Sequence, residues 1–198
     1  MTASTSRMSL DSALTALARR RAEQVVVSTM TALAPWRERA GTDRDLVCVG
    51  FMGGASSLGL GVALARPDVP VWIIDGDGSL AMQLGSLITI AHAAPRRFLH
   101  VVMHNGVYDT SGAQPLPAEG AVSFAGLAGA AGYARAVRFD NAESFDAALD
   151  ELLEVDGPVL AELMTEATGA AYRVNPPPDA KPTPVLAQTW PRVARALA

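Results

Sequence analysis

The chain has 198 residues, of which 49% are hydrophobic and 18% charged, with a formal net charge of −4. That length suits one domain with a sizeable core, and the weakly negative charge offers no electrostatic grip on nucleic acid or an anionic membrane. The single cysteine, Cys48 in the apolar run DLVCVG, excludes an internal disulfide and any zinc or iron–sulfur site ligated by cysteines of this chain alone.

The opening stretch MTASTSRMSLDSALTALARRRAEQ lacks the basic start and apolar run of a secretory signal, so a cytoplasmic protein is expected. Residues 9–21 read as a helix capped by Ser9 or Asp11. EQVVVSTM reads as a short buried strand, TALAPWRERA as a helix ending at Gly41, and DLVCVG as a second strand. Residues 46–65 are uncharged and contain Gly50-x-x-x-Gly54, the pattern of a membrane span. Their five glycines and paired serines favour a Gly-rich turn opening a buried helix instead. VPVWIID is the third strand, followed by one long helix over residues 79–95. FLHVVMHN is the fourth strand. A turn-rich loop, GVYDTSGAQPLPAEG, leads to the small-residue helix SFAGLAGAAG. YARAVRF, NAESFDAALDELLEV and GPVLAELMTE then read as strand, capped helix and strand.

Apolar strands alternating with helices predict an α/β three-layer sandwich, a six-stranded parallel sheet covered on both faces. Residues 1–172 form the expected domain. Residues 173–198, proline-rich and then helical from Trp190, are expected as a tail outside the core.

In such sheets ligands gather beyond the C-terminal strand ends. Two polar stops fall there, Asp75-Gly-Asp-Gly-Ser79 and His104-Asn-Gly-Val-Tyr108. Glycines let a backbone approach closely, but the Asp77 carboxylate would repel a bare phosphate unless a divalent cation lay between them. A Gly-Asp turn without any ligand accounts for the first stop equally well on its own. One helix and one strand separate Asp77 from Asn105, a single crossover that sets the two strand ends side by side.

Gly76-Asp77-Gly78 followed, after a helix and a strand, by His104-Asn105 resembles the thiamine-diphosphate motif that begins Gly-Asp-Gly and ends Asn-Asn. Together with GFMGGASSLGLGVALARPD and NGVYDTSGAQP, residues 45–165 are similar to the diphosphate-binding half of phosphonopyruvate and sulfopyruvate decarboxylases. The resemblance implies the thiamine-diphosphate-binding fold, with thiamine diphosphate and Mg2+ as cofactors. It implies Mg2+ ligation by Asp77 and Asn105 side chains and the Val107 carbonyl, and diphosphate contacts from Gly76, Gly78, Ser79 and Tyr108. Met52 takes the position of the apolar residue that bends the cofactor, and the Gly50 carbonyl accepts from its aminopyrimidine. Gly53 and Ser56 line the same pocket, and Thr110, Ser111 and Gln114 face the substrate, a small 2-oxoacid that loses CO2 to give an aldehyde.

Two positions depart from the family pattern. His104 replaces the first Asn, and Asp109 stands where Gly is usual. His104 reads either as a packed neutral side chain or as a proton donor beside the cation, and His100 as structural. The glutamate that contacts the aminopyrimidine belongs, in that family, to a separate pyrimidine-binding (Pyr) domain for which this sequence shows no pattern. A partner α subunit carrying it, in an α2β2 assembly, is implied. An acetolactate-synthase-like carboligase subunit and a non-catalytic module that kept the fold are the alternatives. A dinucleotide reading of Gly59-x-Gly61 fails because Leu64 stands at its third position. Arg96 and Arg97 read as a solvated helix end.

Overall fold

The computed structural model describes residues 7–50, 52–117, 120–169 and 184–198. The strands are β1 (Val25–Thr29), β2 (Asp45–Cys48), β3 (Val71–Gly76), β4 (Phe98–His104), β5 (Val107–Tyr108), β6 (Gln114–Pro115), β7 (Arg135–Phe139) and β8 (Pro158–Met164). Six of them form one sheet in the order β2-β1-β3-β4-β8-β7, with every neighbouring pair parallel. The expected six-stranded parallel sheet is therefore present.

Because side chains alternate across a strand, each strand feeds two cores. Val25, Val27, Val71, Ile73, Phe98, Val102 and Leu160 point to one face, where α3 (Gly54–Ala65), α5 (Gly85–Ala93) and α6 (Phe124–Ala131) lie. Val26, Trp72, Ile74, Leu99, Val101, Val159 and Leu163 point to the other, under α1 (Leu10–Ala18), α2 (Leu33–Ala40) and α7 (Ala142–Leu153). Ser9 and Asn141 cap α1 and α7 through side-chain oxygens that accept from Ser12 and Ser144 N–H. Among the described residues no helix is long and apolar enough to cross a membrane.

Three local expectations change. The long helix over 79–95 is two helices, α4 (Asp77–Ala81) and α5, with Gly85, a poor helix former, just past the break. The turn-rich loop after β4 is an ordered hairpin, in which β5 and β6 pair antiparallel and Leu116 N–H donates to Gly106 O at 2.8 Å. The tail does reach the core. Its residues 173–183 lie outside the described ones, but α8 (Leu186–Ala196) buries Val193 and Thr189 against β2, and Thr189 Oγ1 accepts from Val47 N–H at 3.2 Å.

Candidate functional site

The chain runs from β1 outward to β2, then returns to place β3 on the far side of β1, so the strand order reverses between β1 and β3. Crevices form beyond the C-terminal ends at such a reversal, and a pocket opens there. One wall is the turn after β1, Thr29 to Ala32, joined by Met52. The opposite wall holds Gly76, Asp77, Gly78 and Ser79 from the β3 end. Asn105, Val107, Tyr108 and Thr110 from the hairpin complete it, with Thr165, Glu166 and Thr168 beyond β8.

Asp77 is 2% exposed and is held by backbone. Its Oδ1 accepts from Gly78 N–H at 2.7 Å, and its Oδ2 from Gly106 N–H at 2.6 Å. The second bond ties β3's end to the loop after β4, as the pairing of those strands allows. Burial pushes the Asp77 carboxyl up from its ordinary value, against the pull of Gly106 and Gly78 N–H and of His104. Asn105 Oδ1 accepts from Val107 N–H at 3.0 Å, which fixes the amide oxygen over its own turn. Both groups expected as metal ligands therefore have set orientations before any ion arrives.

The remaining expected residues are placed differently. Gly50 and Gly53 both take left-handed backbone, φ +102° and +86°. Gly53 N–H donates to Ser79 Oγ at 2.9 Å, pinning the Gly-rich loop to α4. Gly78 is a glycine because the Tyr108 ring lies on it, and a Cβ there would sit 2.6 Å from the ring. Ser56 is buried between α3 and α5, bonded through its hydroxyl to Ser86 Oγ at 3.0 Å, and does not line the pocket. Ser111 and Gln114 are exposed outside it.

His104 lies behind the pocket wall, 2% exposed. Its Nδ1 is 2.7 Å from Glu162 Oε1 and its Nε2 is 3.9 Å from Asp77 Oδ2, and the Phe124 ring meets it edge-on at 5.3 Å. Glu162 also accepts from Ala125 N–H at 2.9 Å and Ser123 Oγ–H at 3.2 Å. Burial pushes its carboxyl up, but these donors outweigh that and leave it below its ordinary value. One layer deeper, His100 Nε2 sits 3.5 Å from Asp75 Oδ2 and Nδ1 3.5 Å from the Tyr133 hydroxyl, a buried structural histidine.

Several residues escaped sequence reasoning. Met30 carries positive φ, 52°, at the pocket rim, a conformation that methionine gives no reason to expect. Arg7 donates from Nη1 to the Asn105 carbonyl at 2.9 Å. Asp109, noted in the sequence only as a departure from the family pattern, is buried, and its Oδ2 accepts from Thr168 N–H at 2.9 Å and Thr168 Oγ1–H at 2.6 Å, tying the hairpin to the segment after β8. The strand-end rule that found Asp77 applies equally to β1, and would have pointed to Thr29–Ala32.

Among the described residues no three His, Cys, Asp or Glu side chains converge to hold a metal ion. The expected set asks for only one carboxylate, beside an amide oxygen and a backbone carbonyl.

Residues 28–163 match the family described as thiamine pyrophosphate enzyme, C-terminal TPP binding domain. The chain is 41% identical over 121 residues to phosphonopyruvate decarboxylase of Streptomyces viridochromogenes, covering 61% of this chain and 30% of that protein. It is 37% identical over 120 residues to sulfopyruvate decarboxylase subunit beta of Methanothermobacter thermautotrophicus, covering 61% of each. Its fold is that of benzoylformate decarboxylase from Polynucleobacter necessarius, with TM-score 0.67 and 17% identity over 79% of this chain and 33% of that one. The strand-end pocket and the match across most of the sheet together make the chain a member of the thiamine pyrophosphate enzyme family, through its C-terminal TPP-binding domain.

Proposed function

We propose that this chain is the diphosphate-binding subunit of a split 2-oxoacid decarboxylase that uses thiamine diphosphate and Mg2+, acting on phosphonopyruvate or sulfopyruvate. The observation that carries the reading is the meeting of Asp77 and Asn105, from adjacent strand ends, in the pocket that Met52 faces. Their oxygens are hard donors of the kind Mg2+ takes, and a buried carboxylate whose ionisation is opposed by burial gains from a divalent cation. With the Val107 carbonyl they would hold the ion and, through it, the diphosphate. Ser79 keeps a hydroxyl proton to donate, since its oxygen already accepts from Gly53. When bound, the thiamine group supplies the electron sink that lets CO2 leave the substrate. This chain's part is to orient that group, with Met52 as the apolar wall and the Gly50 carbonyl as an acceptor, and to keep the ligand oxygens fixed.

A separate α subunit would supply the activating glutamate and close the pocket in an α2β2 assembly. Support comes from the relative named as a beta subunit. It comes also from the outer surface of α3, α5 and α6, where Leu64, Ile88 and Leu127 are 58%, 67% and 41% exposed. Residues 1–172 form the catalytic unit in this reading, and residues 173–198 the tail, whose α8 packs on β2.

The test is CO2 release from phosphonopyruvate and from sulfopyruvate, with thiamine diphosphate and Mg2+, by the chain mixed with its partner subunit. Turnover in the mixture that disappears in Asp77→Ala is the expected result. Cofactor binding without CO2 would move the assignment to another 2-oxoacid or a carboligase, and no binding in any combination would overturn it.

A further inference from the structure

We propose that Glu162 is a positioning residue for the site. Acting through His104, it holds the end of β4 so that Asn105 and the Gly106–Val107 backbone keep their places against Asp77. The inference rests on the ligand reading above and extends it to two residues outside the expected ligand set.

Three observations converge. Glu162 is 0% exposed in the middle of an otherwise apolar strand, an expensive place for a carboxylate unless it is matched by donors. It is matched by the His104 ring and by Ser123 and Ala125 at the start of α6. The bond to Nδ1 fixes the ring's orientation, and the Phe124 ring packs against it at 5.3 Å, nearly perpendicular. His104 is held on its main chain as well, where its carbonyl accepts from Thr165 N–H at 3.1 Å. It is thus clamped by side chain and backbone immediately before Asn105. The distance of 3.9 Å from Nε2 to Asp77 Oδ2 is too long for a hydrogen bond. His104 therefore acts on Asp77 by filling the space behind it, and the ligand loop inherits the clamp through Gly106 N–H on Asp77 Oδ2.

The alternative for Glu162 is a plain structural acid that stabilises β8 and α6 and nothing else. The two roles separate in a cycle of variants on the full chain, studied alone and with its partner subunit. Mn2+ serves as the probe, titrated by electron paramagnetic resonance with thiamine diphosphate present, and amide hydrogen exchange is read in parallel. Glu162→Gln and His104→Ala are each expected to weaken Mn2+ binding by about ten-fold. Each should also speed exchange at the Gly106 and Val107 amides by about ten-fold while leaving β1 unchanged. The double variant is expected to lose no more than either single one. His104→Asn, which keeps an N–H donor close to the Nδ1 position, is expected to retain both properties.

Folded Glu162→Gln with unchanged Mn2+ affinity and unchanged exchange at Gly106 and Val107 overturns the proposal, as do losses that multiply in the double variant. If Glu162→Gln does not fold, the contrast between His104→Ala and His104→Asn decides in its place. If the wild-type chain takes up no Mn2+, the metal reading fails separately, and exchange at the two amides alone supports or overturns the brace.

Discussion

The two faces of the sheet are built with opposite polarity. Under α1, α2 and α7 most of the interior is apolar, with Trp36, Trp72, Ile74 and Phe145 fully buried, the buried Arg21–Asp45 pair stands at its edge at the start of β2, and the outside is charged. There Arg20 of the segment after α1 pairs with Asp146 and Asp150 of α7. Under α3, α5 and α6 the interior holds Asp75, His100, His104 and Glu162, while the outside presents Leu64, Ile88 and Leu127. A layer meant for water puts its charges outward. The α3–α5–α6 layer keeps its polar groups within, next to the site, and its exposed Leu64, Ile88 and Leu127 are what the proposed partner subunit would cover.

The comparison can be broken at either face. The largest effect is expected from Phe145→Ala, which empties a buried ring position 5.4 Å from Phe139. A loss of about 3–5 kcal/mol of stability should appear in urea unfolding, with the site's ligand order intact below the transition. Ile88→Asp on the opposite face should leave the chain's own stability within about 0.5 kcal/mol. The same change should weaken association with the partner subunit by about 2 kcal/mol or more in sedimentation or calorimetry. Equal loss of both would mean that the face is not a docking layer. In the core, Gly59→Ala would set a methyl 2.0 Å from Ile73 Cδ1, so the fully buried Ile73 side chain would have to shift. It should cost about 1–3 kcal/mol.

Acid titration sharpens the contrast inside the polar layer. The Glu162 carboxyl lies lower in the folded than in the unfolded chain, so it contributes stability above its ordinary value of 4.5 and loses it as pH falls through the folded value. Asp77 has the opposite sign, because its raised carboxyl favours the folded state as it takes up a proton. Glu162→Gln should flatten the acid-side decline in melting temperature, and Asp77→Asn should steepen it. The smallest effect belongs to the exposed pair Arg96–Asp156, whose removal by Arg96→Ala should leave the melting temperature unchanged, because solvent screens both charges.

The strands, the layer order and the Asp77–Asn105 pair were legible because each is written locally: apolar runs of strand length, glycines at their ends, and one crossover between the two polar stops. What was not legible depends on distant partners. Glu162 sits in PVLAELM, where nothing nearby indicates that its partners are His104 on the next strand and the start of α6. Asp109, an anomaly in sequence, is explained by Thr168, 59 residues on. The tail's helix was missed as a core element because the prolines before it marked the whole segment as irregular. The hairpin of β5 and β6 read as loop because strands of two residues carry no periodicity.

The return of α8 to β2 bears on how the molecule keeps to itself. A parallel sheet has two open margins, each a row of donors and acceptors to which a stray strand can add. On the β2 margin, Thr189 takes the outward Val47 N–H and the helix lies along the strand. On the β7 margin, Arg135 and Arg138 place exposed charge on the strand itself. One margin is shielded by cover and the other by repulsion. Of the two, only the cover depends on the last fifteen residues of the chain, so a molecule shortened there would keep its site and offer β2 as a template for aggregation.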